Sequence, residues 1–386
     1  MKDFDLIFYD SPLKKIWGKV ILVLIMMVII FLSGNIWKSW LTPLSNVWIM
    51  FPGIFIGILG SVFGILFFRY LDRREPEPLK LWFGVLIFAL LFITASAAYI
   101  NTNSEFPLLT VGFNEEFWKV LPLLMLAYFA PRVVNGVRDG IIYGALGGFA
   151  FNIIELSVYF LRESYPQAGY QGLIYQMGRL GFWGIENHVI WSMLVGAGIG
   201  KAIESKSLKM KILAPLGAYL LAVFTHTMQD VGIGPLLTVA SSYAVMYLQG
   251  YDPATFKSPE MQDVMKNSLS DAMRLETIMI NIIIIPILIK QLLKSGDKER
   301  QTVKDELADE IGEVITEDEY KGVLEEKRFR LRKINGFPKR IGKKIRKLQN
   351  ALAFHKSYLK NKNISLDNDP VKAYYIQEIA KLRSEK

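Results

Sequence analysis

The chain has 386 residues, of which 52% are hydrophobic and 21% charged, and 45 basic residues against 36 acidic ones give a net charge of +9. Long uncharged runs alternate with short charged patches, which excludes both a single soluble domain and a disordered chain. The sequence has no cysteine, so disulfides, thiolate metal sites and a cysteine nucleophile are excluded as well.

Nine apolar runs predict membrane-spanning helices, because about 20 apolar residues in a helix cross the hydrocarbon core of a bilayer. In chain order the runs are 17–33, 47–68, 81–100, 117–129, 140–161, 180–202, 212–230, 231–249 and 277–293. Backbone in lipid must satisfy its own hydrogen bonds, and these runs lack the alternation of barrel strands. We therefore expect an all-α fold, a polytopic transmembrane bundle of about eight or nine spans with a charged, partly helical C-terminal tail.

The runs and the charged stretches divide the chain into four parts. These are an N-terminal segment with the first membrane anchor (1–46), a core of packed spans (47–250), a loop with the last span (251–294) and a charged soluble tail (295–386). Lys14 and Lys15 precede the first run and no small-residue cleavage site follows it, so we interpret it as an uncleaved anchor. Glycine pairs four residues apart inside the runs predict close helix packing.

The tail contains a strongly basic segment, 328–347, with ten lysines and arginines and no acidic residue. Its basic residues are Arg328, Arg330, Arg332, Lys333, Lys339, Arg340, Lys343, Lys344, Arg346 and Lys347. Such a segment is typical of a contact with anionic lipid, and also of a solvated helix face or a loose tail. Nucleic-acid binding is not expected, because no recognised nucleic-acid-binding fold accompanies the charge.

Ionisable side chains inside apolar runs are candidate functional residues, because a charge in lipid is costly. The candidates are Glu115, Glu116, Lys119, Glu155, His188, His226 and Asp230. Successive spans are antiparallel, and at about 1.5 Å per residue all of these side chains fall within roughly 15 Å of one membrane surface. We therefore expect four helices to aim carboxylates and imidazoles at a common point. Glu186, in the sixth run, is interpreted as a structural partner.

The spacing of the candidates predicts which of them share a helix face. Glu115 and Lys119 are four residues apart and can pair, whereas Glu116 is turned about 100° away from that face. His226 and Asp230 are also four residues apart, so the carboxylate can orient a ring nitrogen or accept a proton.

These segments resemble the PrsW family of intramembrane proteases, which is similar to the CAAX prenyl protease and bacteriocin-processing (CPBP) superfamily. The likeness runs from about 48 to 230 and leaves the tail uncovered. Its first two motifs are the acidic-proline segment Asp72 to Pro78 and EExxK at Glu115, Glu116 and Lys119. A glycine-rich helix from Asp139 to Gly148 then leads to FxxxE at Phe151 and Glu155. The last two motifs are Arg179 followed by His188 and the glycines Gly196, Gly198 and Gly200, and HxxxD at His226 and Asp230.

Two positions depart from the family pattern. Leu156 follows Glu155 where members often have asparagine, and Thr227, Met228 and Gln229 stand where apolar and aromatic residues are more usual. Neither departure removes a presumed catalytic group, so both bear on the substrate pocket.

The resemblance implies an intramembrane endopeptidase that hydrolyses membrane-protein substrates, such as a membrane-bound anti-sigma factor, in a bacterial inner membrane. In one scheme Glu115 or Glu116 is the general base, His188 holds the water, and His226 with Asp230 donates to the oxyanion. Lys119 then holds one carboxylate of the pair and leaves the other free. In the second scheme Glu155, His188 and His226 bind Zn²⁺ and a glutamate of the pair remains the base. We slightly favour the metal-independent scheme.

The distribution of basic residues predicts the orientation in the membrane. Loops 68–80, 130–139 and 201–211 carry ten lysines and arginines, against three in loops 34–46, 101–114 and 162–179. The first set is therefore predicted to be cytoplasmic and the site to lie in the outer leaflet. Nine spans would put the basic tail outside, although Lys290, Lys294, Lys298 and Arg300 argue for the inside.

Two other functions are compatible with buried ionisable residues. A proton- or ion-coupled transporter also uses intramembrane glutamate and histidine, but the sequence shows no internal repeat of the kind typical of transporters. A catalytically inactive sensor or scaffold is the second alternative. The absence of a P-loop motif argues against an ATP-driven pump.

Overall fold

The computed structural model describes residues 6–105, 107–231, 244, 246–250 and 259–385, with the backbone alone for 107–109, 231 and 259–274. Within these residues the regular structure is helical, and the β-type pairing consists of isolated bridges. The predicted all-α fold is confirmed. The predicted run 231–249 lies almost entirely outside the described residues.

Eight long helices of the described residues form a bundle. They are α1 (Ile16–Trp40), α2 (Ser45–Leu71), α3 (Leu79–Thr102), α4 (Pro107–Phe129), α5 (Val137–Tyr159), α6 (Asn187–Glu204), α7 (Leu208–Val231) and α8 (Pro259–Leu307). Six of them, α1, α2, α3, α5, α7 and α8, include a stretch long and apolar enough to cross a membrane. Helices α5 and α6 lie at the centre; α5 is almost entirely buried, and α6 is largely buried from His188 to Gly200.

Helices α4 and α6 begin at other residues than the predicted runs, and in both cases polar residues are the cause. Helix α4 begins at Pro107 rather than at 117, because the polar side chains in between are paired with neighbouring helices instead of marking a helix end. Helix α6 begins at Asn187 rather than at 180, where the Glu186 side chain accepts a hydrogen bond from the His188 backbone N–H at 3.4 Å. The residues before it form short helical turns.

Glycines allow α5 and α6 to pack backbone against backbone. A Cβ added to Gly196 would lie 2.0 Å from the carbonyl oxygen of Gly140, and one added to Gly140 would lie 2.0 Å from that of Gly196. Glycines one turn further along each helix repeat the contact, as expected for small residues spaced four apart.

Replacing Gly196 with alanine should therefore force these two helices apart. We expect a loss of about 1–3 kcal/mol of stability, as for other overpacked cores, together with a loss of activity. Gly217 on α7 is the matched control, because nothing lies within 4 Å of a Cβ added there. Thermal unfolding of both alanine variants in detergent tests the prediction, and equal melting temperatures would contradict it.

Both ends of the described chain lie on the side of the bundle that carries the basic loops. Asp10, ahead of α1, pairs with Arg132 at 2.7 Å, and the tail reaches the loop after α2 through Asn350, which donates to the Arg74 carbonyl at 2.9 Å. On the opposite side Asn187 contacts both Gln229 of α7 and Asn281 of α8. The end of α7 and the middle of α8 therefore meet on that opposite side.

The tail folds as a small helical unit on the end of α8. Its helices are α9 (Glu317–Leu324), α10 (Lys339–Asn361) and α11 (Pro370–Ser384). Apolar residues from these helices and from α8 form two clusters, one around Val303 and Leu307 and one around Ile345 and Leu352. Arg332, from the basic segment, is buried and bonds to Glu326 at 2.9 Å. The alternative of a loose tail is therefore wrong for the described residues.

Candidate functional site

Four helices bring the predicted site residues together on the side of the bundle opposite the tail. Helix α4 carries Glu115, Glu116 and Lys119, α5 carries Glu155, α6 carries His188, and α7 carries His226 and Asp230. Five of these side chains are buried, whereas Glu155 is half-buried and Asp230 is exposed.

Glycines of α5 allow the neighbouring helices to approach at this level. A Cβ on Gly147 would lie 2.0 Å from the carbonyl oxygen of Lys119, and one on Gly148 would lie 2.6 Å from the Cα of Val189, the residue after His188. The glycine-rich sequence of α5 therefore holds the α4 lysine and the α6 histidine close to one another.

Lys119 is the central residue of the site. Its ammonium donates to Glu116 Oε1 at 2.7 Å and to His188 Nδ1 at 2.6 Å, and it lies 3.5 Å from Glu115 Oε2. It also lies 4.4 Å from the centre of the Phe151 ring. Glu116 was expected to be turned away from Lys119 but is its nearer carboxylate, because residues three apart on a helix are neighbours as well.

The contacts of His188 define the tautomer of its ring. A carboxylate only accepts hydrogen bonds, so His188 donates from Nε2 to Glu155 Oε2 at 2.8 Å. Its Nδ1 then accepts from Lys119. The ring is thus held at both nitrogens, by a residue of α5 and a residue of α4.

His226 connects the same glutamate pair to the end of α7. Its Nδ1 donates to Glu116 Oε1 at 2.8 Å, and its Nε2 faces Asp230 Oδ2 at 3.6 Å and Glu115 Oε2 at 3.7 Å. The ring stacks on Trp191 with the ring centres 4.7 Å apart. Glu116 Oε1 is therefore held from two sides. Glu116 Oε2 is buried and has no hydrogen-bond partner among the described residues.

Glu115, His188 and His226 form the one group of three potential metal ligands found in the described part of the chain, with ligand atoms within 4.8 Å of one another. The sequence had suggested Glu155 in place of Glu115, but the described ion pairs of Glu155 are with His188 and Arg179. Imidazole and carboxylate donors suit Zn²⁺, so the group fits a metal by donor type. Lys119 contacts two of the three, so an ion held through His188 Nδ1 would compete with the lysine ammonium.

Three residues of the site were not anticipated from the sequence. Asn101 of α3 donates to Glu115 Oε1 at 2.9 Å, and Asn114 donates to Asn101 at 2.6 Å. Trp191, which stacks on His226, follows His188 by one helical turn. Helical spacing from His188 gave a signal for Trp191, and Asn114 directly precedes the glutamate pair, whereas nothing local in the sequence linked Asn101 to α4. Glu186, interpreted as structural, caps α6.

Arg179 links the segment between α5 and α6 to the site. Its guanidinium lies 3.1 Å from Glu155 Oε2, the oxygen that also accepts from His188, and it stacks over the Tyr159 ring at 4.1 Å. Arg179 thus holds the carboxylate that orients the His188 ring.

We expect Arg179→Gln to lower kcat by about 10- to 100-fold with little change in KM, the usual effect of losing a residue that orients a histidine of a site. The reason is that Glu155, no longer held by Arg179, can leave His188. Arg162→Gln, an exposed arginine of the same segment, is the control and should keep wild-type kinetics. An unchanged kcat in Arg179→Gln would contradict the prediction.

The fold and the site define a class of protein: a membrane-embedded helical bundle whose buried glutamates, histidines and lysine meet near one end of the helices. A sequence model of the PrsW family, described as intramembrane metalloproteases, matches residues 45–251. Because the match covers more than half of the chain, the chain belongs to the PrsW family and is an integral, multi-pass membrane protein of a protease family. Comparison with curated proteins and with solved structures gave no match. The wider relation to the CPBP superfamily stays a prediction.

Proposed function

We propose that this chain is an intramembrane endopeptidase in which Glu116 is the general base that activates the attacking water. The observation that carries the proposal is the state of the Glu116 carboxylate. One oxygen is fixed by Lys119 and His226, while the other is buried and has no hydrogen-bond partner among the described residues. A carboxylate held in this way can take a proton from water without losing its position.

The neighbouring residues divide the remaining work of peptide hydrolysis. Glu116 removes a proton from the water as it attacks the peptide carbonyl, and then returns that proton to the leaving nitrogen. His226 in its imidazolium form donates to the oxyanion from Nε2, the ring nitrogen that lies 3.6 Å from Asp230 Oδ2. Lys119 balances the charge of Glu116, and His188, which accepts from the same ammonium, fixes the position of Lys119.

The family description supports a role for a metal, and Glu115, His188 and His226 are the residues that would hold it. When bound, Zn²⁺ would polarise the peptide carbonyl and favour deprotonation of water. Glu116 remains the base in either case, because it lies beside this group without belonging to it. The proposal therefore has a metal-dependent and a metal-independent form. In the first form Glu115 is a metal ligand, and in the second it is a partner of Lys119.

Metal analysis of the purified protein distinguishes the two forms. If Glu115 is a ligand, Glu115→Gln should lose bound metal in elemental analysis and chelation should abolish cleavage. If it is not, wild type and Glu115→Gln should have the same low metal content, and a chelator should leave cleavage unchanged. The exposed Glu163, in the segment after α5, provides the matched Glu163→Gln control.

The proposed activity itself can be tested without a known substrate. Membranes from cells that express the wild type or Glu116→Gln are compared by mapping new N-termini of membrane proteins. We expect new ends within or next to transmembrane segments only with the wild type. The same peptide ends in both samples would contradict the protease proposal and favour the transporter or an inactive scaffold. The identity of the substrate, including a membrane-bound anti-sigma factor, and the bacterial inner membrane remain predictions.

A further inference from the structure

The end of the basic segment forms the start of α10, and its basic residues there lie along one side of the helix. Lys347, Ala351, Phe354 and Tyr358 of α10 line a cavity of about 370 Å³ between the tail and the membrane bundle. This stripe of the helix therefore faces the bundle. The opposite stripe, which includes Ile345 and Leu352, packs into the tail's own core.

The stripe that faces the bundle continues towards the start of α10 as a row of basic residues. Arg340, Lys343 and Lys344 precede Lys347 by seven, four and three positions, so they point in the same direction from the helix axis. Arg340, Lys343 and Lys344 are exposed, whereas Lys347 lines the cavity.

Helix α10 runs along the end of the bundle rather than away from it. Asn350 donates to the Arg74 carbonyl at 2.9 Å in the loop after α2, and five residues later His355 lies 3.1 Å from Arg132 in the loop after α4. Two successive contacts with two loops hold this part of the helix against that end of the bundle. The exposed half of the stripe therefore continues along the same end.

A second part of the basic segment lies at the same level. Arg328 donates to Asp297 at 3.1 Å, and Asp297 follows the last residue of the apolar run of α8, Leu293, by about 6 Å of helix. The next residue, Phe329, is 58% exposed at the tip of a tight turn. An exposed aromatic ring beside exposed arginines is the composition expected of a segment that touches a membrane surface.

We propose that the exposed stripe of Arg340, Lys343 and Lys344, together with the turn at Phe329, binds the anionic phospholipid headgroups next to the bundle. The partner follows from charge and position. The segment has ten basic residues and no acid, and the exposed stripe lies on the side of the basic loops, which the positive-inside rule assigns to the cytoplasm. This contact holds the tail against the membrane independently of the protease site, which lies at the other end of the helices.

The absence of native cysteine makes a single-probe experiment possible. Lys343→Cys in the full chain is labelled with bimane and placed in lipid nanodiscs that contain a trace of lipid with a nitroxide headgroup. The discs are made of phosphatidylcholine alone or of phosphatidylcholine mixed with phosphatidylglycerol. Asp318→Cys is the control, because this exposed residue of α9 lies next to Glu319, which bonds to Gln349 on the side of α10 away from the bundle.

We expect the bimane at Lys343→Cys to be quenched several times more strongly in the discs with phosphatidylglycerol, and the difference to disappear at high salt. Adding Arg340→Gln and Lys344→Gln should remove most of the preference, since each basic residue near an anionic surface contributes about a fivefold preference. Equal quenching in the two kinds of disc would overturn the proposal. Equal quenching is the result expected if the stripe binds an acidic soluble protein instead of lipid. Equal lipid dependence at Asp318→Cys would also overturn it, because the attraction would then belong to the whole tail.

Discussion

Replacing Glu116 with glutamine should lower the rate of cleavage by about 10²–10⁴-fold, the usual contribution of a general base. Glutamine has nearly the same shape and can still accept a hydrogen bond from Lys119, so the helices should keep their positions. What is lost is the capacity of the buried Oε2 atom to take a proton from water.

The measurement is single-turnover cleavage of a substrate found by mapping new N-termini, with wild type and variant in the same detergent. Glu163→Gln makes the same chemical change at an exposed carboxylate and should keep wild-type activity. A melting temperature close to that of the wild type would show that Glu116→Gln is folded. A Glu116→Gln rate within twofold of the wild type would reject Glu116 as the base.

Hydropathy was sufficient to predict the class of fold and the approximate course of most membrane helices. The run 47–68 lies inside α2 and the run 81–100 inside α3, because these helices expose apolar side chains to lipid along much of their length. The same criterion placed the start of α4 ten residues too late. There the polar residues from Asn114 to Lys119 pair across helices, and a scale of single-residue hydrophobicity does not represent such pairing.

The candidate site, like the fold, could be predicted from the sequence only in part. Depth along antiparallel helices indicated that residues of α4, α5, α6 and α7 would share one level, and the structure brings these side chains within hydrogen-bond or ion-pair distance. The rotation of each helix was not available from the sequence. For this reason Glu155 was grouped with both histidines, whereas Glu115 is the carboxylate close to both. The contact of Asn101 with Glu115 depends on the packing of α3, which no local motif encodes.

The second large effect is expected at Lys119, which is fully buried between Glu115, Glu116 and His188. Lys119→Met should remove activity and destabilise the bundle by about 3–5 kcal/mol, the cost of leaving a buried partner charge uncompensated. Lys201→Met, at an exposed position of α6, is the matched control and should change neither property.

A double variant separates this charge effect from a simple loss of packing. In Lys119→Met combined with Glu116→Gln, the nearer of the two carboxylates has lost its charge together with the lysine, so part of the lost stability should return although activity stays absent. Denaturant or thermal unfolding of wild type, both single variants and the double variant gives the coupling energy. If the double variant is less stable than Lys119→Met alone, the lysine acts through packing, and its assignment as the counter-charge of Glu116 is wrong.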